Sequence, residues 1–193
     1  METCEYWHYY KMNNSKKIHE ILSFWFEETT PKQHFAKDDA FDTEVKTRFE
    51  ETYWDIMNGK TIDWRESPEG RLAEIIVLDQ FARNMFRDTP QSFAADDLAL
   101  QLADEALSVG ADQEVPKEMR VFFYMPFMHS ESEEVHKKAL KIFEDYGNAE
   151  NLKYELMHKK IIDRFGRYPH RNKTLEREST PEEIDFLKEH SGF

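Results

Sequence analysis

Apolar residues recur every three or four positions along nearly all of this chain, and no run alternates apolar with polar residues for long enough to mark a half-buried strand. The chain is therefore expected to be all-α. Ile18, Ile21, Leu22 and Trp25 share one face of a helix predicted over 16–26. Phe41, Val45, Phe49, Tyr53 and Ile56 line a second, which stops at Gly59, a residue suited to a left-handed cap. Ser67 and Pro68 open a third, because serine caps free N–H groups and proline tolerates the first turn. Its run Leu72, Ile75, Ile76, Val77, Leu78, Phe81 is apolar on more than one side, as in a central helix. Ser92 is expected to open the next, closing at Gly110, and Pro116 a short one that Pro126 kinks or ends. Two more run over 131–146 and 148–165, closed by Gly147 and Gly166, and Thr180, Pro181 and Glu183 form the capping box of the last. About eight helices with short connections predict stacked antiparallel hairpins, a tetratricopeptide-like bundle or short solenoid. The consensus residues of that repeat do not occur in order, so the analogy is one of shape.

The length, 193 residues with 39% hydrophobic content, suits one helical domain over 15–193, preceded by a loose extension over 1–14. A net charge of −13 repels nucleic acid and anionic membrane, so neither is expected as a partner, and any anion site must be a local basic exception. The single cysteine, Cys4, fits a reducing compartment, and a cytoplasmic location is expected. The longest charge-free apolar run, Val121 to Met128, is too short to cross a bilayer and reads as core. The N-terminus has no stretch of signal-peptide length, and Met12 is a candidate translation start that would leave 1–11 outside the native protein. Oligomeric state is not legible.

Three clusters carry candidate chemistry. In the first, Asp79, Arg83 and Arg87 fall along one helical face with Gln80 and Asn84 beside them: either an ion-paired solvated surface or an anion-binding face. The second runs from Lys160 to Lys173 and has a local charge of +4. There Gly166 and Pro169 break the helix, so that Arg167, His170 and Arg171 sit on a constrained bend with Arg164 and Asn172 at its ends. Such guanidiniums recognise carboxylate or phosphate, or else clamp the protein's own carboxylates. The third comes directly after the apolar run, where His129 and Glu131 at a helix start could act as acid and base, or as capping groups. His158 lies on an inward stripe, as a core histidine or part of a site. Glu133 with His136 and Glu155 with His158 imitate the Glu-x-x-His pairs of di-iron bundles, but chance alone supplies such pairs in so acidic a chain, and no metal is expected. Cys4 is isolated, no serine stands in a Gly-x-Ser-x-Gly elbow, and with 6 glycines no phosphate-cradling loop exists, so no cofactor is implied.

Several runs carry a resemblance: Phe24, Trp25, Phe26; Lys37 and Asp38 leading to Phe41 and Asp42; Leu78 to Asn84 with Arg87; Tyr124 to Glu131; and Arg164 through Asn172 followed by Leu175 and Arg177. Over about residues 18 to 187 the chain resembles a bacterial family catalogued as domain of unknown function 924. The resemblance implies an all-helical, tetratricopeptide-like fold without an established activity. Two positions depart from the family pattern: Ala82, where proline is common, and Glu176, where glycine is common.

Together the clusters suggest a pocket for a small anionic molecule, lined by Arg83, Asn84, Arg87, His158, Arg164, Arg167, Arg171 and Asn172. His129, Glu131 and His170 would be its catalytic groups, suited to hydrolysis or group transfer. The rival is a helical scaffold that holds a protein segment in its groove, with the arginines as internal clamps.

Overall fold

The computed structural model describes residues 14–35 and 37–189; Cys4, the 1–11 extension and the candidate start at Met12 lie outside them. Every regular element among the described residues is helical. Helix α1 covers 14–23, so Asn14 already belongs to it, and continues into a π turn, Phe24–Glu28. Next come α2 (Pro31–Phe35), α3 (Asp39–Met57) and a 3-10 turn, Ile62–Glu66. α4 (Pro68–Ile76) passes through a second π turn, Val77–Phe81, into α5 (Ala82–Met85). The second half comprises α6 (Asp96–Ser108), α7 (Val121–Met128), α8 (Glu133–Asp145), α9 (Ala149–Phe165) and α10 (Pro181–Glu189).

Local chemistry sets these boundaries. Asp38 accepts from the N–H groups of Ala40 and Phe41, and Ser67 from that of Gly70, satisfying donors that the first helical turn leaves over. Asn148 and Asn151 cap each other reciprocally at the start of α9, and Gly166, at φ +65°, ends it. Three expectations shift. Ser92 lies in a 3-10 turn, Pro90–Phe93, and α6 opens at Asp96; Pro116 stands at the turn before α7, which opens at Val121; and Pro126 sits inside α7 without ending it. α7 runs only two residues past that proline, so the missing donor costs it a single bond, the one to Phe122.

The core forms where α3, α4 and α7 present their aromatic and branched faces. Phe24, Phe41, Phe49 and Phe81 cluster, with the Phe49 and Phe81 ring centroids 4.7 Å apart. The central segment through the second π turn is buried on every side. α6 packs on α4 and α7, α7 on α8, and α8 on α9 in a hairpin closed around Gly147. A smaller core joins Ile161, Ile162 and Tyr168 to Phe165 and Phe186, fastening the bend after α9 to α10.

Candidate functional site

The π turn Val77–Phe81 is where the site begins. Its extra residue rotates the downstream helix by about 100° relative to an unbroken one. Asp79 lies inside, 1% exposed, with Gln80 and Asn84 buried beside it. The Asp79 carboxylate faces the end of α7, and its Oδ1 lies 2.7 Å from Nδ1 of His129; Gln80 Nε2 donates to its Oδ2 at 2.5 Å. Arg83, one turn on, donates to the Asp79 carbonyl and lies 3.1 Å from each of the two oxygens of Asp96, in the first turn of α6.

The bend after α9 supplies the other side. Arg171 is 6% exposed; its Nη1 donates to Asp96 Oδ2 at 3.0 Å and its Nη2 to the His129 carbonyl at 2.9 Å. Its guanidinium lies between the rings of Phe93 and Tyr168, at 4.5 and 4.8 Å from their centroids. Arg171 Nε is buried without a hydrogen-bond partner. Asp96 thus serves two guanidiniums at once, and Arg83 and Arg171, 88 positions apart in the chain, meet across it.

Three imidazoles surround this point. The ring centroids of His129 and His158 are 6.5 Å apart, and Tyr168 lies 5.7 Å from His158 and 5.5 Å from His170. His158 Nδ1 donates to the Tyr154 carbonyl, which fixes its tautomer. Burial pushes His158 down to about 3 and His170 down to about 4, so both are neutral at neutral pH. Burial also lowers His129, which the Asp79 charge only partly offsets. Asp79 goes the other way: burial would raise it, but His129 and Arg83 hold it at about 2. A carboxylate can only accept, so Nδ1 of His129 carries the proton and Nε2 the lone pair. No hydrogen bond is made to that Nε2 among the described residues, and the side chain is 15% exposed.

The remaining predicted residues go elsewhere. Asn84 and Arg87 turn to α3, where Asp42 accepts from Asn84 at 2.8 Å and from Arg87 at 2.5 and 2.8 Å. Arg164 pairs with Glu182, Arg167 with Glu183, and Asn172 with Ser179 and Glu183, so these three tie the bend to α10. Glu131 accepts from the Tyr168 N–H at 2.7 Å and from both Nη groups of Arg177 at 2.7 and 2.9 Å. Behind it, the fully buried His136 joins Glu155 at 2.8 Å, the Ser130 carbonyl at 2.9 Å and the Tyr168 hydroxyl at 3.0 Å. His136 of one imitated Glu-x-x-His motif thus pairs with Glu155 of the other across α8 and α9, while His158 bonds the Tyr154 carbonyl, and no group of three or more metal-ligating side chains occurs among the described residues. A groove of about 530 Å³ between α1 and the Ile62–Glu66 turn is lined by Asn14, Ile18, Asp63 and Trp64, and by none of the predicted site residues.

Sequence reasoning did not select Asp96, Phe93 or Tyr168. Asp96 looks like an ordinary acid in a helix's first turn, and nothing local signals that two distant arginines share it.

Fold and site together define an all-α protein in which Asp79 from the second π turn and His129 from the end of α7 form an Asp–His pair flanked by two arginines. Residues 21–191 match a family described as bacterial protein of unknown function, DUF924, and the chain belongs to that family. It is similar to a solved protein of unknown function, ATU0120 from Agrobacterium tumefaciens, at 39% identity and a TM-score of 0.86, over 92% of this chain and 99% of that one. No curated protein matches the chain. No helix among the described residues is long and apolar enough to cross a membrane.

Proposed function

We propose that Arg83, Arg171 and the Asp79–His129 pair bind a small molecule carrying a carboxylate or phosphate, with His129 as the group that exchanges a proton with it. The observation that carries this reading is the confrontation of two guanidiniums over one carboxylate, beside an imidazole whose outer nitrogen has no hydrogen bond among the described residues. Burial lowers Arg171, and repulsion from Arg83 lowers it further. Asp79 and Asp96 balance the two positive charges, so an arriving anion adds negative charge that His129 can match by taking up a proton at Nε2. Binding should therefore tighten as pH falls from neutral. The chemistry such a set supports is hydrolysis or group transfer, with the arginines stabilising developing negative charge. Glu131, occupied by Arg177 and the Tyr168 amide, positions the bend; His158 and His170 line the site as neutral imidazoles.

The test is a thermal-shift series with inorganic phosphate, phosphate monoesters and short carboxylates, run on the native protein and on His129→Gln and Arg171→Lys. Stabilisation of the native protein that both variants lose supports the site. No shift with any anion, or equal shifts in all three proteins, sinks it.

A second reading, a tetratricopeptide-like scaffold that holds a protein segment, is favoured by one observation: Arg87, Arg164 and Arg167 are each engaged by a carboxylate of the chain itself. On that reading the cluster is an internal clamp, and a peptide library selected on the protein would yield binders whose affinity survives His129→Gln.

A further inference from the structure

We propose that His129 Nε2 is a nucleophile that accepts a phosphoryl group from a small acyl phosphate, the mixed anhydride of phosphoric and carboxylic acids. The inference rests on the anion site described above, names its substrate class, and gives the fraction of His129 left unprotonated at Nε2 the role of nucleophile in place of proton exchange.

The geometry gives the imidazole its direction. Asp79 Oδ1, 2.7 Å from Nδ1, fixes the tautomer and leaves the Nε2 lone pair outermost. Arg171 donates to the carbonyl of His129 itself, and Arg83 donates to the carbonyl of Asp79, so both guanidiniums are built onto the backbone of the two residues that form the pair. Both guanidiniums also share Asp96, so a phosphoryl group at Nε2 would join a cluster that already holds two cations, which can stabilise the charge on the oxygens of a transferring phosphoryl group. No serine, threonine or cysteine side chain hydrogen-bonds to Asp79 or His129 among the described residues, which leaves the imidazole as the nucleophile of the set.

The leaving group is dictated by the proton donors the site lacks. An alcohol leaving from a phosphate monoester needs a proton, yet the groups facing His129 have none to give at neutral pH. His158 and His170 are neutral through burial, Asp79 and Glu131 are ionised, and the Tyr168 hydroxyl already donates to the Met128 carbonyl. The buried Glu155 is engaged with His136. A carboxylate leaving group departs with its electron pair and needs no proton, which selects the mixed anhydride.

In the transfer step the Nε2 lone pair forms an N–P bond while the bond from phosphorus to the acyl oxygen breaks, releasing a carboxylate. The ring, still protonated at Nδ1, becomes positive, and Asp79 matches that charge. Water then attacks phosphorus, the N–P bond breaks with its electrons returning to Nε2, and inorganic phosphate leaves with the water's oxygen. Acyl phosphate and water become carboxylate and phosphate, with no oxidant or reductant.

The experiment incubates the full chain with acetyl phosphate and reads intact mass at neutral to alkaline pH, followed by peptide mapping. Expected is a gain of one phosphoryl group, labile to acid and stable to base, mapped to His129. Asp79→Asn, in which the amide can donate to Nδ1 and move the ring proton to Nε2, should label about 100-fold more slowly or worse. Mapping on the native protein needs no variant to fold. A label on any other residue, or no label although inorganic phosphate raises the melting temperature, overturns the nucleophile and leaves the anion site standing. Neither label nor thermal shift overturns both.

Discussion

His158 offers the sharpest quantitative handle on this fold, because it is buried, bonded through Nδ1 to the Tyr154 carbonyl, and held neutral with a folded value of about 3. In the unfolded chain the imidazole titrates at about 6.5. The folded value is the lower one, so the unfolded state binds more protons as the solution is acidified. The stability contribution is present above the unfolded value and is lost as pH falls toward about 3. Between pH 7 and pH 5 the linkage amounts to about 2 kcal/mol for this one residue. His170, at about 4, adds a similar loss over the same interval. Glu155 works in the opposite sense, since burial raises it and its folded form gains protons earlier. The perturbation is His158→Gln, which keeps an N–H donor for the helix carbonyl but cannot titrate. Urea unfolding at pH 7 and pH 5 should show the native protein losing about 2 kcal/mol more than the variant between the two conditions. Equal losses in both proteins would refute the claim that a neutral, buried His158 carries this linkage.

The remaining predictions concern packing and backbone. Gly70→Ala should cost about 3 kcal/mol in urea unfolding, because its methyl would run into the Trp64 carbonyl group, which is backbone and cannot swing aside as a side chain would. Gly166→Ala, at φ +65° with open space around it, should cost only about 1 kcal/mol, through backbone strain alone; a loss as large as that at Gly70 would contradict this. Phe123→Ala, fully buried in α7, should cost about 3 to 5 kcal/mol. Glu176→Gly should stabilise the fold by up to about 1 kcal/mol, since Glu176 holds φ +54°, and a lowered melting temperature would count against it.

The periodicity of the apolar residues was enough to read the all-α class and most helix ends, since Ser67, Asn148 and Gly166 act on their own neighbours. Glu176 was legible too: it stands where the family resemblance expects glycine, and it takes a left-handed conformation. The site was legible as a set of suspects but not as an arrangement. An even helical wheel puts Asp79, Arg83 and Arg87 on one face; the π turn breaks that wheel, burying Asp79 while Arg87 reaches Asp42. The charge reversal over 160–173 does not distinguish Arg171, which turns into the cluster, from Arg164 and Arg167, which hold α10. Their partners Asp96, Glu182 and Glu183 are chosen by tertiary packing, and no local spacing encodes it.

One carboxylate, Asp96, receives guanidinium groups from two segments, the later of them 75 residues downstream. Closing so long a loop is slow compared with winding the intervening helices, and it cannot happen until the segment beyond α9 has left the ribosome. The cluster is therefore a late-assembling feature of the chain, and a nascent chain lacking its last fifth would hold Asp79 and His129 without Arg171 to complete them.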